Sequence, residues 1–209
     1  MKPYLITTLV LTLGAAASAH ARPVSYPGGW TTMAMHDADE SSLHVHYSPN
    51  AYSSLGAKII NQDAGDINYQ LVQYNRLLKR WNGPASQANV YLKSGVGVAT
   101  QAGAAGGAAF SGFAADWETR RHFISYETRL LGADGIDGQF KQSARVGVAP
   151  YVAEFGSLHT WLMLQVDHAP DAQDPVDVKP LVRFFKGTSL LEVGSSLRGG
   201  MMVNFIQRF

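Results

Sequence analysis

Hydrophobic and polar residues alternate along most of this chain with a period of two. From Leu158 to Asp167, Leu158, Thr160, Leu162, Leu164 and Val166 share one face, and His159, Trp161, Met163, Gln165 and Asp167 share the other. Between Ala88 and Val98, Val90, Leu92, Val96 and Val98 oppose Asn89, Tyr91, Lys93, Gly95 and Gly97. Between Gln142 and Val152, Ala144, Val146, Val148 and Val152 oppose Ser143, Arg145, Gly147 and Ala149. Successive side chains of a strand point to opposite faces, so this is strand patterning. Twelve segments follow, at about 30–37, 43–48, 52–61, 67–81, 88–99, 108–118, 122–132, 139–155, 157–168, 176–186, 189–196 and 200–209. Their connectors carry turn chemistry, as in Ser48-Pro49-Asn50, Asp134-Gly135 and Lys186-Gly187-Thr188. Ala99 to Ala109 is rich in Gly and Ala and predicts a loop. After the first twenty residues no run approaches the ~18 apolar residues of a spanning helix.

The first residues break this pattern. Lys2, the apolar run Tyr4–Leu13 and Ala19-His20-Ala21 have the layout of a secretory signal peptide cleaved after Ala21. This predicts two regions, 1–21 for export and 22–209 as one all-β domain. The chain has no cysteine, which excludes a lipoprotein anchor, a disulfide scaffold, a thiolate metal site and a cysteine nucleophile. With 17 Lys+Arg against 16 Asp+Glu there is no basic excess for binding nucleic acid. Charged residues make up 16% of the chain, well below the usual quarter. A chain with one face against lipid has this composition.

An exported soluble β-sandwich would alternate too, but the faces here are inverted. The apolar faces are uniform, while the opposite faces carry Lys58, Lys93, Asp116, Glu118, Glu127, Arg129, Arg145, Asp167, Lys179, Arg183 and Glu192. Apolar outside and charged inside is the arrangement of a barrel in lipid. Trp30, Tyr47, Tyr52, Tyr69, Trp81, Trp117, Tyr126, Tyr151 and Phe184 fall near segment ends, where interfacial girdles sit. The chain ends Met201, Val203, Phe205 and Phe209 on one face, and segment 200–209 resembles the closing strand of Gram-negative outer-membrane β-barrel proteins. Gln207 departs from that pattern. The resemblance implies a closed antiparallel transmembrane β-barrel of about 12 strands, or ten if 30–48 lies outside the wall. It also implies the outer membrane as location, with lipid, lipopolysaccharide and the outer-membrane assembly machinery as partners.

Charge sorts the connectors between two ends. With both termini periplasmic, the outer connectors carry Asp39, Glu40, Asp63, Asp66, Asp134, Asp137, Asp171 and Asp174, and the inner ones Lys79, Arg80, Arg120, Arg121 and Lys186. The stretch Tyr74–Asn82 offers a periplasmic partner a docking surface, or simply snorkels its cations at the interface. Twelve strands fall between the filled eight-stranded barrel and the open porins. The lumen is expected to be narrow and polar, porin-like or plugged by its own ion pairs.

Candidate chemistry gathers at the first hairpin. If loop 38–42 sets the register, His36 faces His44, and His44 and His46 point inward. Three imidazoles beside Asp37, Asp39 and Glu40 would suit Zn or Cu. Met33 and Met35 are then expected on the lipid side. An enzyme is not expected. Gly194-Ser195-Ser196 is not a nucleophile elbow, and no Ser–His pair has an orienting acid. Outer-membrane lipid-modifying enzymes remain the least favoured alternative, after a porin-like or metal-handling barrel and a closed docking barrel.

Overall fold

The computed structural model describes residues 22–154 and 156–209, so the signal segment 1–21 lies outside the described residues. Among the described residues there are twelve strands: β1 Gly29–His36, β2 Glu40–Asn50, β3 Ser53–Gln62, β4 Ile67–Asn82, β5 Ser86–Gln101, β6 Ala104–Thr119, β7 His122–Ala133, β8 Ile136–Val148, β9 His159–His168, β10 Val176–Lys186, β11 Ser189–Ser195 and β12 Met201–Arg208. Each pairs antiparallel with its neighbours in sequence, and β1 pairs with β12, closing a barrel with no edge. Closure removes the unpaired strand edges that a lipid core would not tolerate. The seam is tied at its end by reciprocal backbone bonds, Phe209 N–H to the Trp30 carbonyl at 2.9 Å and Trp30 N–H to the Phe209 carbonyl at 3.2 Å.

The outer surface is the apolar one. Val72, Val96, Leu130, Val146, Leu162 and Leu164 are exposed, and Trp30, Tyr52, Trp81 and Phe209 stand exposed near strand ends. Gln207, the odd residue of the last strand, sits at the rim. Its amide donates to Thr188 Oγ1 at 2.9 Å and accepts from Ser189 Oγ at 2.5 Å, so the adjacent turn satisfies it.

Four expectations need correction. The first hairpin does not use loop 38–42. Asp37 Oδ1 accepts from the backbone N–H of Asp39 and of Glu40, both at 3.0 Å, and this turn closes the hairpin early. His36 therefore pairs with Ser41, and Met33 with His44. The paired numbers now sum to an odd value, so the faces of β1 are exchanged: Met33 and Met35 turn inward and His36 outward. Second, the Gly/Ala segment is strand, turning only at Ala102 and Gly103, which have φ of 50° and 83°. Its glycines sit against the next turn: a Cβ on Gly106 would stand 2.8 Å from the Asp134 carbonyl oxygen. Third, Tyr69 is not in a girdle. It is fully buried inside, with Ile60, Leu71, Phe110 and Leu131. Fourth, β8 stops at Val148 because Pro150 has no N–H for the ladder.

Candidate functional site

The interior is built by the inward positions of all twelve strands, and its charged side chains meet across it. Glu40 opens β2, and Arg129 lies on β7, five strands away around a ring of twelve. The two are therefore on nearly opposite walls. They join in a two-pronged bridge, Arg129 Nη1 to Glu40 Oε1 at 2.7 Å and Nη2 to Oε2 at 2.6 Å. Parallel contacts of this kind fix geometry as well as energy. Gln62 on β3 and Gln139 on β8 also reach across, exchanging amide bonds at 2.7 and 3.2 Å.

Beside them Asp37 meets Lys179 at 3.2 Å and Lys141 at 3.7 Å. Lys179 also meets Asp167 at 3.0 Å and Asp177 at 3.4 Å. Burial opposes ionisation of Asp37, but Lys141, Lys179 and the two turn N–H groups outweigh it and hold its carboxyl below the usual carboxylate range. Lys93 pairs with Glu127. Lys58, facing the same space, has no ion-pair partner within 4.0 Å among the described residues.

A second group lies nearer the termini. Glu192, 1% exposed, accepts from Arg183 Nε at 2.6 Å, Arg145 Nη1 at 2.9 Å and Asn204 Nδ2 at 2.8 Å. Arg183 also lies over the Phe123 ring at 4.8 Å. Asp116 takes a bond from Asn89 at 2.7 Å, and Asn89 takes one from Arg80 at 2.6 Å. Buried ions are tolerated when paired and hydrogen-bonded in this way.

The end of the barrel holding the termini is filled by the chain itself. Arg22 pairs with Glu118, and Val24 packs against Leu77 and Tyr91. The Pro23 carbonyl accepts from Ser54 Oγ at 2.6 Å and Asn75 Nδ2 at 3.2 Å. Between the two ends remains a cavity of about 260 Å³, lined in part by Met33, His44, Lys58, Lys93, Glu127 and Arg145.

The three histidines do not converge. His36 faces outward and bonds Ser41 Oγ at 2.8 Å through Nδ1. His44 and His46 are buried on the inner face with ring centroids 4.6 Å apart. No group of three or more His, Asp or Glu among the described residues is placed to hold a metal ion. Sequence reasoning missed Glu40, Asp37, Lys141 and Arg22 as partners in the interior network. Glu40 was legible, because it has the parity of Ser42, His44 and His46. Lys141 likewise shares the parity of Ser143 and Arg145. Nothing in the pattern marked Arg22.

No protein-family model matches the sequence, and no curated protein matches it. Solved structures do resemble the fold. The KdgM porin is 7% identical, with 87% of this chain and 98% of that one covered and a TM-score of 0.49. KdgM in complex with disordered oligogalacturonate has the same identity and coverage and a TM-score of 0.51. OccK8 (OprE) of Pseudomonas aeruginosa is 8% identical over 84% of this chain and 62% of that one, with a TM-score of 0.43. What this chain shares with the KdgM complex structure is architecture: it has the closed antiparallel barrel of an outer-membrane porin.

Proposed function

We propose that this protein is an outer-membrane barrel that passes small polar solutes through a constriction formed by side chains. The observation that carries the reading is the Arg129–Glu40 bridge between nearly opposite walls. A barrel meant only as a solid platform can fill its bore with apolar side chains. Here charged side chains of both signs hold the walls together, and such pairs can part and re-form as a solute passes. Paired charges of both signs predict weak selectivity between anions and cations. The apolar outer belt and the terminal aromatic strand support the outer membrane as its location, with lipid and lipopolysaccharide around it. The same strand is the segment the assembly machinery would receive.

The closed docking barrel is the second reading, favoured by residues 22–24 seated at the other end. Single-channel recording in planar bilayers separates the two. A conduit gives small steps in the parent and larger ones in Glu40→Ala, which frees the bore of one bridge. If neither protein conducts above bare lipid, the conduit reading is wrong and the docking barrel stands.

A further inference from the structure

The inner wall beside the cavity carries a ligand set that conduction does not need. The register places four residues in each of two adjacent rows. One row runs Ile206, Met33, His44, Lys58 across β12, β1, β2 and β3. The next runs Arg208, Thr31, His46, Gly56. Met33 thus lies directly opposite His44, and diagonal neighbours on one face are ~7–8 Å apart, within reach of a flexible thioether. Gly56 leaves His46 its space: a Cβ there would stand 2.5 Å from the Cα and Cβ of His46.

His44 Nε2 and both ring nitrogens of His46 are buried with no hydrogen-bond partner. Buried polar atoms are almost always satisfied, and three orphaned nitrogens on two touching rings need an explanation. Neutral imidazole nitrogen has a lone pair, and a metal ion is one group that can use it.

The geometry points to a site for a soft monovalent d10 cation, Cu⁺ or Ag⁺, held by His44, His46 and the Met33 sulfur. Three features select this class. Metal–nitrogen bonds of ~2.0–2.1 Å to rings whose centroids are 4.6 Å apart bring the two nitrogens to roughly a right angle at the ion. That angle leaves positions open for a third ligand, and the thioether opposite is a soft one, which favours Cu⁺ over Zn²⁺. The charged neighbours in the two rows are Lys58 and Arg208, both cations. They penalise a divalent ion twice as heavily as a monovalent one. No carboxylate completes a harder site there. The inference does not depend on the conduit reading, since the site lies in the wall whether or not the bore conducts.

Ag⁺ is the probe, because it is stable in air and has no redox chemistry to confuse the titration. Calorimetry on the refolded full chain should show one Ag⁺ per barrel at micromolar concentration. Zn²⁺ at the same concentration should bind at least tenfold more weakly. Met33→Leu keeps the apolar volume and should weaken Ag⁺ at least tenfold, as should His44→Gln. Met35→Leu and His36→Ala should bind as the parent does. X-ray absorption on the Cu⁺ form, prepared anaerobically, should show sulfur and nitrogen together in the coordination shell. Heat-modifiable migration on a mildly denaturing gel checks that each variant is folded, and Met33→Leu decides if His44→Gln is not. Absence of Ag⁺ binding in the parent overturns the proposal. So does undiminished binding in folded Met33→Leu, or a shell without sulfur.

Discussion

Replacing Glu192 by Gln removes one negative charge and almost no volume from the most buried ionic group in the barrel. Glu192 is 1% exposed and is shared by Arg183 at 2.6 Å, Arg145 at 2.9 Å and Asn204 at 2.8 Å. The neutral amide leaves two guanidiniums facing each other without their common counter-charge. It also sets an NH₂ group against donors that need an acceptor. Breaking a buried ion pair from one side costs ~3–5 kcal/mol. The lower end applies here, because Arg145 keeps Gln165 Oε1 at 3.0 Å and Arg183 keeps the Phe123 ring. A loss of ~3 kcal/mol with an m-value of ~3 kcal/mol/M lowers the urea midpoint by about 1 M. The comparison is Glu127→Gln, whose partner is Lys93 but whose side chain is 46% exposed to the interior space. A pair that wet is worth only ~0–1 kcal/mol. Tryptophan fluorescence during urea unfolding in lipid vesicles reads both. Equal midpoints for the two variants would refute the claim that this group, and not ionic pairing in general, stabilises the barrel.

Leu162 is half exposed on the outer wall near the middle of β9, and Leu162→Arg should cost ~2–4 kcal/mol in the same assay. Arg placed at Ser143, on the inner face of β8 beside Asp167, should cost clearly less. Asp37 has a depressed pKa, so its stabilising effect is complete above the ordinary carboxylate range and is lost as pH falls through the depressed value. Asp37→Asn should therefore be less stable than the parent at pH 7, and its unfolding midpoint should change less than the parent's between pH 5 and strongly acidic buffer. Removing residues 22–25 takes Arg22 from Glu118 and Val24 from Leu77 and Tyr91, and single-channel recordings should show larger steps than the parent. Unchanged steps would mean that this segment does not limit passage.

Most of the wall was legible because lipid and interior impose opposite demands on alternate residues. Leu162 and Met163 could be assigned to their faces from spacing alone, and twelve strands followed from the turn residues between them. The first hairpin was not legible in the same way. Its faces depend on whether the turn closes at residue 37 or 38, and that is decided by where the Asp37 carboxylate finds N–H groups. Hydrophobicity does not separate the options, since Met33, Ala34 and Met35 are apolar on both faces of β1. The cross-bore bridges were hidden for another reason. Alternation says that Arg129 and Glu40 point inward but carries no information about which residues meet across a closed ring.

The reciprocal bonds between Trp30 and Phe209 join residues 179 positions apart, and every pair in the β1–β12 seam is nearly as remote in sequence. Every other backbone pairing among the described strands joins neighbours in sequence. Loop-closure entropy must be met before such a distant pairing returns anything, so the hairpins form first and the seam last. Until then β1 and β12 are open edges, each able to capture another chain. Folding therefore becomes a race between ring closure, which is independent of concentration, and edge-to-edge association, which is not. Refolding yield should fall as protein concentration rises, and the loss should steepen when Phe209 is removed and the last rung of the seam is missing.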